Sequence, residues 1–127
     1  AMQTVEITIT GARDDADAHR AGMAVANSPL VKTAIAGEDP NWGRVVMAVG
    51  KSGAEADRDA LSIWFGDILV AEKGWVSPEY REELGAAYMK NAELKVSVDL
   101  GVGEGAATVW TCDLKHQYIT LNADYRS

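Results

Sequence analysis

Residues 28–44, SPLVKTAIAGEDPNWGR, constrain the fold most, because they combine helix-starting and helix-stopping residues in a fixed order. Ser28 can cap a helix that begins at Pro29, since proline in the first turn loses no useful donor and already has a helical φ. Gly37 then predicts the end of that helix. The segment therefore predicts a short helix followed by a tight turn.

The second half of this segment predicts another helix directly after the turn. Pro40 prevents the first helix from continuing, and Asn41 can cap a helix that begins near Trp42 and reaches Gly50. We expect the Trp42 indole to anchor the two helices. Helix, turn and helix alone do not require the polar residues found here, which are Glu38, Asp39, Asn41 and Arg44.

The polar side chains of this turn leave two interpretations open. Asp39, Asn41, Trp42 and Arg44 could contact a ligand together. They could instead satisfy backbone N–H groups at the helix starts, which is the more common role of such turns.

The other elements follow from periodicity and turn signals. Residues 4–10 alternate apolar and polar side chains, as in a strand with one buried face, and a helix capped by Asp14 or Asp15 reaches about Asn27 with one stripe of small residues. Two short apolar segments, 61–65 and 68–71, flank Gly66-Asp67 and predict a β-hairpin, with Trp64 and Phe65 in the core.

The last part of the chain predicts one more helix and further strands. A helix should start at Ser77-Pro78 and reach Asn91, burying Leu84, Ala87 and Tyr88. Strands are expected at 94–98, around 107–109 and at 118–121. The predicted fold is one α+β domain over residues 1–127, a mostly antiparallel or mixed sheet with helices packed on one face.

Composition excludes several classes of partner. A net charge of −7 over 127 residues would repel phosphate, so neither nucleic acid nor an anionic membrane is expected as a partner, whereas small cationic or neutral ligands remain open. The single cysteine, Cys112, allows no internal disulfide and favours a reducing, cytoplasmic location. No signal peptide or membrane-spanning run is evident, and Ala1 before Met2 has the form of a tag remnant.

Local motifs indicate neither a metal site nor a catalytic centre. His19 and His116 have no ligand partners at metal-binding spacing, so no metal is expected. Cys112 alternates within a strand, where a buried structural thiol is more common than a nucleophile. No nucleophile elbow, phosphate-binding loop or dinucleotide-binding fingerprint is present, and no catalytic residue is assigned.

Three segments together resemble one enzyme family. The order of residues 28–44, the run DLGVGEGAATVWTCDL at 99–114 and the terminus YITLNADYRS at 118–127 are similar to the C-terminal part of the β chain in the bifunctional ornithine acetyltransferase / glutamate N-acetyltransferase family of arginine biosynthesis. Residues 99–114 resemble the late hairpin of that family. The resemblance extends over nearly the whole chain.

The resemblance implies an enzyme of which this chain is a part. In that family a precursor cleaves itself before a threonine, and this threonine passes the acetyl group of N-acetylornithine to glutamate through a covalent intermediate. Some members also use acetyl-CoA, and the family suggests two α and two β chains. The nucleophile, the oxyanion-stabilising residues and a substrate-binding Glu would all lie upstream, so this chain alone is expected to be inactive.

Only Asn122 and Ser127 match substrate-binding positions of the family. An amide can both donate and accept hydrogen bonds, and a hydroxyl beside the terminal carboxylate can do either, which suits an amino-acid substrate. Without the resemblance, a frayed tail would be the expectation. The alternative is a non-catalytic domain that binds a small ligand or serves in assembly; an upstream reading frame that encodes the threonine distinguishes the two.

Overall fold

A computed structural model of the chain describes residues 3–112. In this part a mixed sheet of six strands carries helices on one face, as the sequence predicts. The strands are β1 (Thr4–Ala12), β2 (Ser62–Phe65), β3 (Ile68–Glu72), β4 (Trp75–Val76), β5 (Glu93–Asp99) and β6 (Gly105–Cys112). The helices are α1 (Asp15–Asn27), α2 (Pro29–Ala36), α3 (Trp42–Gly50) and α4 (Glu82–Tyr88), with a 3₁₀ turn at Arg58–Ala60. Ala1, His116 and the strand expected at 118–121 lie outside the described residues.

The described sheet has the strand order β4-β3-β2-β5-β1-β6, in which β1 lies between β5 and β6. Strand β1 pairs in parallel with β5 and antiparallel with β6, so that Ile7 lies opposite Val96 on one side and Val109 on the other. Because side chains alternate along a strand, Val5 and Ile9 share the buried face with Ile7, and all three are at most 1% exposed. Burial of each stabilises the fold by about 1.5–3 kcal/mol.

Helix α1 covers this face through the predicted stripe of small residues. Gly22 lies so close to the sheet that a Cβ there would be 3.2 Å from Val109 Cγ2. The Asp14 carboxylate caps the helix by accepting from the Asp17 N–H at 2.8 Å. The expected cap of α2 is also present, since Ser28 Oγ accepts from the Val31 N–H at 3.2 Å.

The expected late hairpin is wrong, because β5 and β6 do not pair with each other. Strand β1 lies between them. The connecting loop instead crosses the end of β1: the Leu100 N–H donates to the Thr10 carbonyl at 2.9 Å, and the Val102 N–H donates to the Gly11 carbonyl at 2.8 Å. The loop glycines thus allow a crossover over β1 rather than a tight hairpin turn.

The hairpin of β2 and β3 is confirmed, and Gly66 in its turn has φ of 61°. Phe65 is in the core, at 2% exposure. The expectation for Trp64 is wrong in part: it is only half-buried. Trp64 follows the alternation of β2 onto the opposite face of the sheet, where it pairs with Ser97.

Helix α4 is shorter than expected and buries a different face. Ser77 and Pro78 form a turn, in which the Tyr80 N–H donates to the Ser77 carbonyl at 3.0 Å, and the helix begins only at Glu82 and ends at Tyr88, before Asn91. Leu84 is 51% exposed and Ala87 is also exposed, whereas Tyr88 is half-buried.

The inward residue of α4 is Gly85, because it lies directly against Tyr80 and Pro40. This contact rotates Leu84 outward.

Within residues 3–112, no helix is both long enough and apolar enough to cross a membrane.

The crossover predicts a strong steric requirement at Gly105. A Cβ there would collide with the backbone of Asp14, whereas a Cβ at Gly50 would meet nothing within 4 Å. We expect Gly105→Ala to lower the free energy of unfolding by about 1–3 kcal/mol, as overpacking does. The control Gly50→Ala should leave it unchanged or raise it by up to about 1 kcal/mol. Urea unfolding measures both, and coincident curves for the two variants would contradict the packing described here.

Candidate functional site

The two substrate-binding residues expected from the resemblance, Asn122 and Ser127, lie outside the described residues. Cys112 is the last residue of β6, and the tail that contains both follows it in the sequence. Of the sequence features singled out for function, the structure therefore describes mainly the turn between α2 and α3.

This turn is stabilised by its own backbone. The left-handed residue that ends α2 is Glu38, with φ of 56°, and not Gly37, whose φ is −86°. The Asp39 N–H donates to the Ala34 carbonyl at 2.8 Å. A left-handed conformation costs a non-glycine residue about 1 kcal/mol or more, and the backbone hydrogen bonds of the turn offset this cost.

Asn41 and Arg44 serve the architecture of the turn. Asn41 Oδ1 accepts from the Arg44 N–H at 3.1 Å, which is the predicted cap of α3. Arg44 Nη1 donates to the Leu30 carbonyl at 2.9 Å and so connects α3 to the start of α2. For these two residues the structural interpretation is the one that the contacts support.

Trp42 is half-buried and packs against Trp75 of β4, whereas the expected anchoring of α2 and α3 by its indole stays a prediction. Its ring lies 6.4 Å from the Trp75 ring, centroid to centroid, at 78° between the planes. Such an edge-to-face pair stabilises by about 0.5–1.5 kcal/mol beyond the area it buries. Trp42 therefore connects the turn to β4, and Trp75 itself remains 67% exposed.

On one side of Trp42 lies a cleft of about 570 Å³, called here the acidic cleft. It is bounded by the α2–α3 turn, by β4 and by the start of α4. Its lining residues are Asp39, Pro40, Asn41, Trp42, Gly43, Val76, Tyr80 and Glu82.

Tyr80 lines this cleft, and its hydroxyl is buried against Gly85 of α4. Among residues 3–112 no side chain or backbone group forms a hydrogen bond with this hydroxyl. Burial raises the pKa of Tyr80, and the negative charges of Glu82, Asp39 and Glu83 raise it further. The phenol thus stays neutral at neutral pH.

On the other side of Trp42 lies a mostly apolar cleft of about 410 Å³, called here the apolar groove. It runs along α3 towards the 3₁₀ turn, and Met47 in it is 49% exposed. Its lining residues are Trp42, Gly43, Val46, Met47, Val49, Gly50, Ala56, Arg58 and Leu61. A third cleft, of about 430 Å³, lies beside the exposed Trp110 on the opposite face of the sheet.

Asp17 is a buried carboxylate that the sequence analysis did not single out. It is 1% exposed, accepts from the Glu55 N–H at 3.0 Å, and lies 3.2 Å from Arg13 Nη2 and 3.4 Å from Arg20 Nη1. The hydrogen bond from Glu55 lowers its pKa most, burial opposes this, and the two arginines lower it further. These contacts are structural, because the Asp17 carboxylate connects α1 to the loop after α3.

The remaining candidates from the sequence form no site in the described structure. His19 is exposed on α1. Cys112 is half-buried at the end of β6, so the expectation of a buried thiol is met only in part. Within residues 3–112 no group of three or more His, Cys, Asp and Glu side chains could hold a metal ion.

Comparison with known proteins gives one consistent result. The model of the ArgJ family matches residues 1–127. The arginine biosynthesis bifunctional protein ArgJ of Ruegeria pomeroyi is 73% identical, and that of Brucella suis is 58% identical, both over 100% of this chain and 31% of the relative. The crystal structure of arginine biosynthesis bifunctional protein argJ from Bacillus halodurans superposes with a TM-score of 0.90 at 38% identity, over 97% of this chain and 58% of that one. The chain thus spans about a third of the length of these curated relatives.

The cap of α3 makes a prediction about Asn41. Asn41→Ala removes the acceptor of the Arg44 N–H, so we expect the free energy of unfolding to fall by about 0.5–2 kcal/mol. Asn41→Asp keeps the acceptor and should change it little. Chemical denaturation of both variants measures this, and equal stability of Asn41→Ala and the parent chain would mean that Asn41 is free for a ligand.

The environment of Asp17 predicts a dependence of stability on pH. Because its pKa is lower in the folded chain than in the unfolded chain, its contribution is present above about pH 4 and is lost as the pH falls through the folded-state pKa. Asp17→Asn should therefore destabilise the chain at pH 7 and much less in acid. Thermal unfolding from pH 7 down to acid measures the difference, with the exposed Asp67→Asn as control. A constant difference at every pH would show that the charge of Asp17 contributes nothing.

Proposed function

Because the chain belongs to the ArgJ family, we propose that it is the C-terminal, substrate-contacting part of an enzyme that transfers the acetyl group of N-acetylornithine to glutamate. The observation that carries the proposal is the family match over all 127 residues, with 73% identity to a relative named as an arginine biosynthesis bifunctional protein. The superposition on the Bacillus halodurans structure supports the same proposal at the level of the fold.

The proposed chemistry uses a threonine outside these residues. Its hydroxyl oxygen would attack the acetyl carbonyl, the C–N bond would break, and ornithine would leave with its amine protonated. The glutamate amine would then attack the acetyl-threonine ester and restore the hydroxyl. We also propose that the complete enzyme accepts acetyl-CoA as a second acetyl donor. We propose further that it is an α2β2 assembly located in the cytoplasm.

The described residues support the proposal that this chain contacts the substrate and that the rest of the enzyme supplies the catalytic threonine. The buried carboxylate of Asp17 is occupied by the Glu55 N–H and two arginines. The side chains of Asn41 and Arg44 are occupied by helix ends. Within residues 3–112 these polar groups hold the fold, which is consistent with a nucleophile supplied from elsewhere.

The role proposed for this chain is to hold the amino-acid end of the substrate through Asn122 and Ser127. The support is the match of the Asn-Ala-x-Tyr tail and the final hydroxyl residue to the family. A side-chain amide can accept from an ammonium group or donate to a carboxylate, and a hydroxyl can do either. The tail follows β6, a strand that is paired with β1 along most of its length.

A threonine supplied by the rest of the enzyme predicts the activity of the 127-residue chain on its own. Without the threonine and its oxyanion donors, the 127-residue chain should form no acetylglutamate from N-acetylornithine and glutamate above the buffer rate. The complete protein should turn over. Mass-spectrometric detection of acetylglutamate measures both. Saturable activity of the pure chain would overturn the proposal, and so would an upstream reading frame that encodes no threonine-bearing segment.

The site assignment is tested by Asn122→Ala in the complete protein. We expect a loss of about 1–3 kcal/mol in transition-state interaction, which lowers kcat/KM about 5- to 150-fold for donor or acceptor at nearly unchanged Tm. Deletion of Ser127 should act in the same way but more weakly. The exposed Asn27→Ala is the control. If Asn122→Ala leaves kcat/KM for both substrates at the control value, the tail is structural and the assignment is wrong.

A further inference from the structure

The acidic cleft and the apolar groove lie side by side and share Trp42 and Gly43 as a common wall. One cleft thus presents carboxylates and the other apolar side chains, along a continuous stretch of surface. The exposed Trp75 packs edge-on against Trp42 at this boundary. Neither cleft has a role in the function proposed above.

The carboxylates of the acidic cleft are not paired with a cation in the described part of the chain. Within residues 3–112, Asp39 and Glu82 form no ion pair, and the carboxylates near Tyr80 all have the same sign. Aromatic walls and carboxylates together favour an ammonium or guanidinium group.

The apolar groove exposes surface that water solvates poorly. Met47 is 49% exposed in the groove, which Val46 also lines, and Trp75, which is 67% exposed, packs against Trp42 at the edge of the groove. Contiguous exposed apolar surface with a polar rim is typical of a docking site. The acidic cleft lies immediately across Trp42, so the two features suit one ligand of mixed character.

We propose that these two clefts together dock a segment of the same enzyme that lies outside these 127 residues, with an apolar side chain in the groove and a Lys or Arg next to it in the acidic cleft. The proposal rests on the proposed function only in taking the chain as part of a longer enzyme. The curated relatives are covered over 31% of their length, so each contains a polypeptide long enough to supply this segment.

Charge complementarity selects this occupant over the others. A small organic cation would satisfy Asp39 and Glu82 but leave the groove and Met47 exposed. A second copy of the chain, with its own net charge of −7, would bring like charges together at the acidic cleft. A basic and apolar segment of the same enzyme meets both requirements.

Photocrosslinking of the complete enzyme tests the docking directly. Met47→p-benzoylphenylalanine places a photoreactive group in the groove, and the same substitution at Trp110, on the opposite face of the sheet, is the control. We expect position 47 to link to a peptide outside the 127 residues that contains Lys or Arg, and position 110 not to link to that peptide. Absence of a link from position 47, or a link to residues 113–127 or to a second copy, would overturn the proposal.

A matched charge removal tests the acidic cleft. Asp39→Asn with Glu82→Gln removes two cleft charges, whereas Glu38→Gln with Glu83→Gln removes two charges one residue away that do not line the cleft. In the complete enzyme at low salt, we expect the cleft pair to lower Tm by at least about 2 °C more than the control pair. The difference should shrink at 1 M salt, because salt screens a partly exposed ion pair.

Equal effects of the two pairs would overturn the proposal. So would a saturable rise in Tm with n-butylammonium that the cleft pair abolishes, because a small cation would then be the occupant. All these readouts are independent of acetyl transfer, so a failed docking and a failed activity assignment give different results.

Discussion

The whole fold depends on the pairing of β1 on both sides with strands from the far end of the chain. β1 is parallel to β5 and antiparallel to β6, and its buried face receives α1. This arrangement requires the loop between β5 and β6 to cross the end of β1, which it does by donating three backbone N–H groups to carbonyls at Thr10 and Gly11. Because β6 precedes the tail, the same pairing determines where the segment with Asn122 and Ser127 begins.

Features encoded by a few neighbouring residues were predictable. Ser28 and Asn41 form the expected caps, since a cap needs only a side-chain oxygen and an N–H three residues away. The hairpin at Gly66 and the stripe of small residues on α1 are equally local. Together, these local features predicted the α+β class.

Features that depend on distant contacts were not predictable. The glycines at 99–105 fit a hairpin as well as a crossover, and only the position of β1 decides between them. Leu84 is exposed because Gly85 packs on Tyr80 and Pro40, which no periodicity reveals. The pKa of Asp17 is lowered mainly by the hydrogen bond from Glu55, and the pKa of Tyr80 is raised mainly by burial; the sequence signalled neither environment. For the clefts beside Trp42, the sequence identified the unusual residues of the turn but not the surface they form with β4 and α4.

Native-state hydrogen exchange of the chain tests most directly the claim that β1 and its two neighbours hold the fold. The claim predicts that the amides bonded between β1 and β6, and between β1 and β5, are among the slowest to exchange and open only with global unfolding. It would be contradicted if β6 exchanged by local opening while β2 and β3 stayed protected, because the tail would then start from a strand that β1 does not hold.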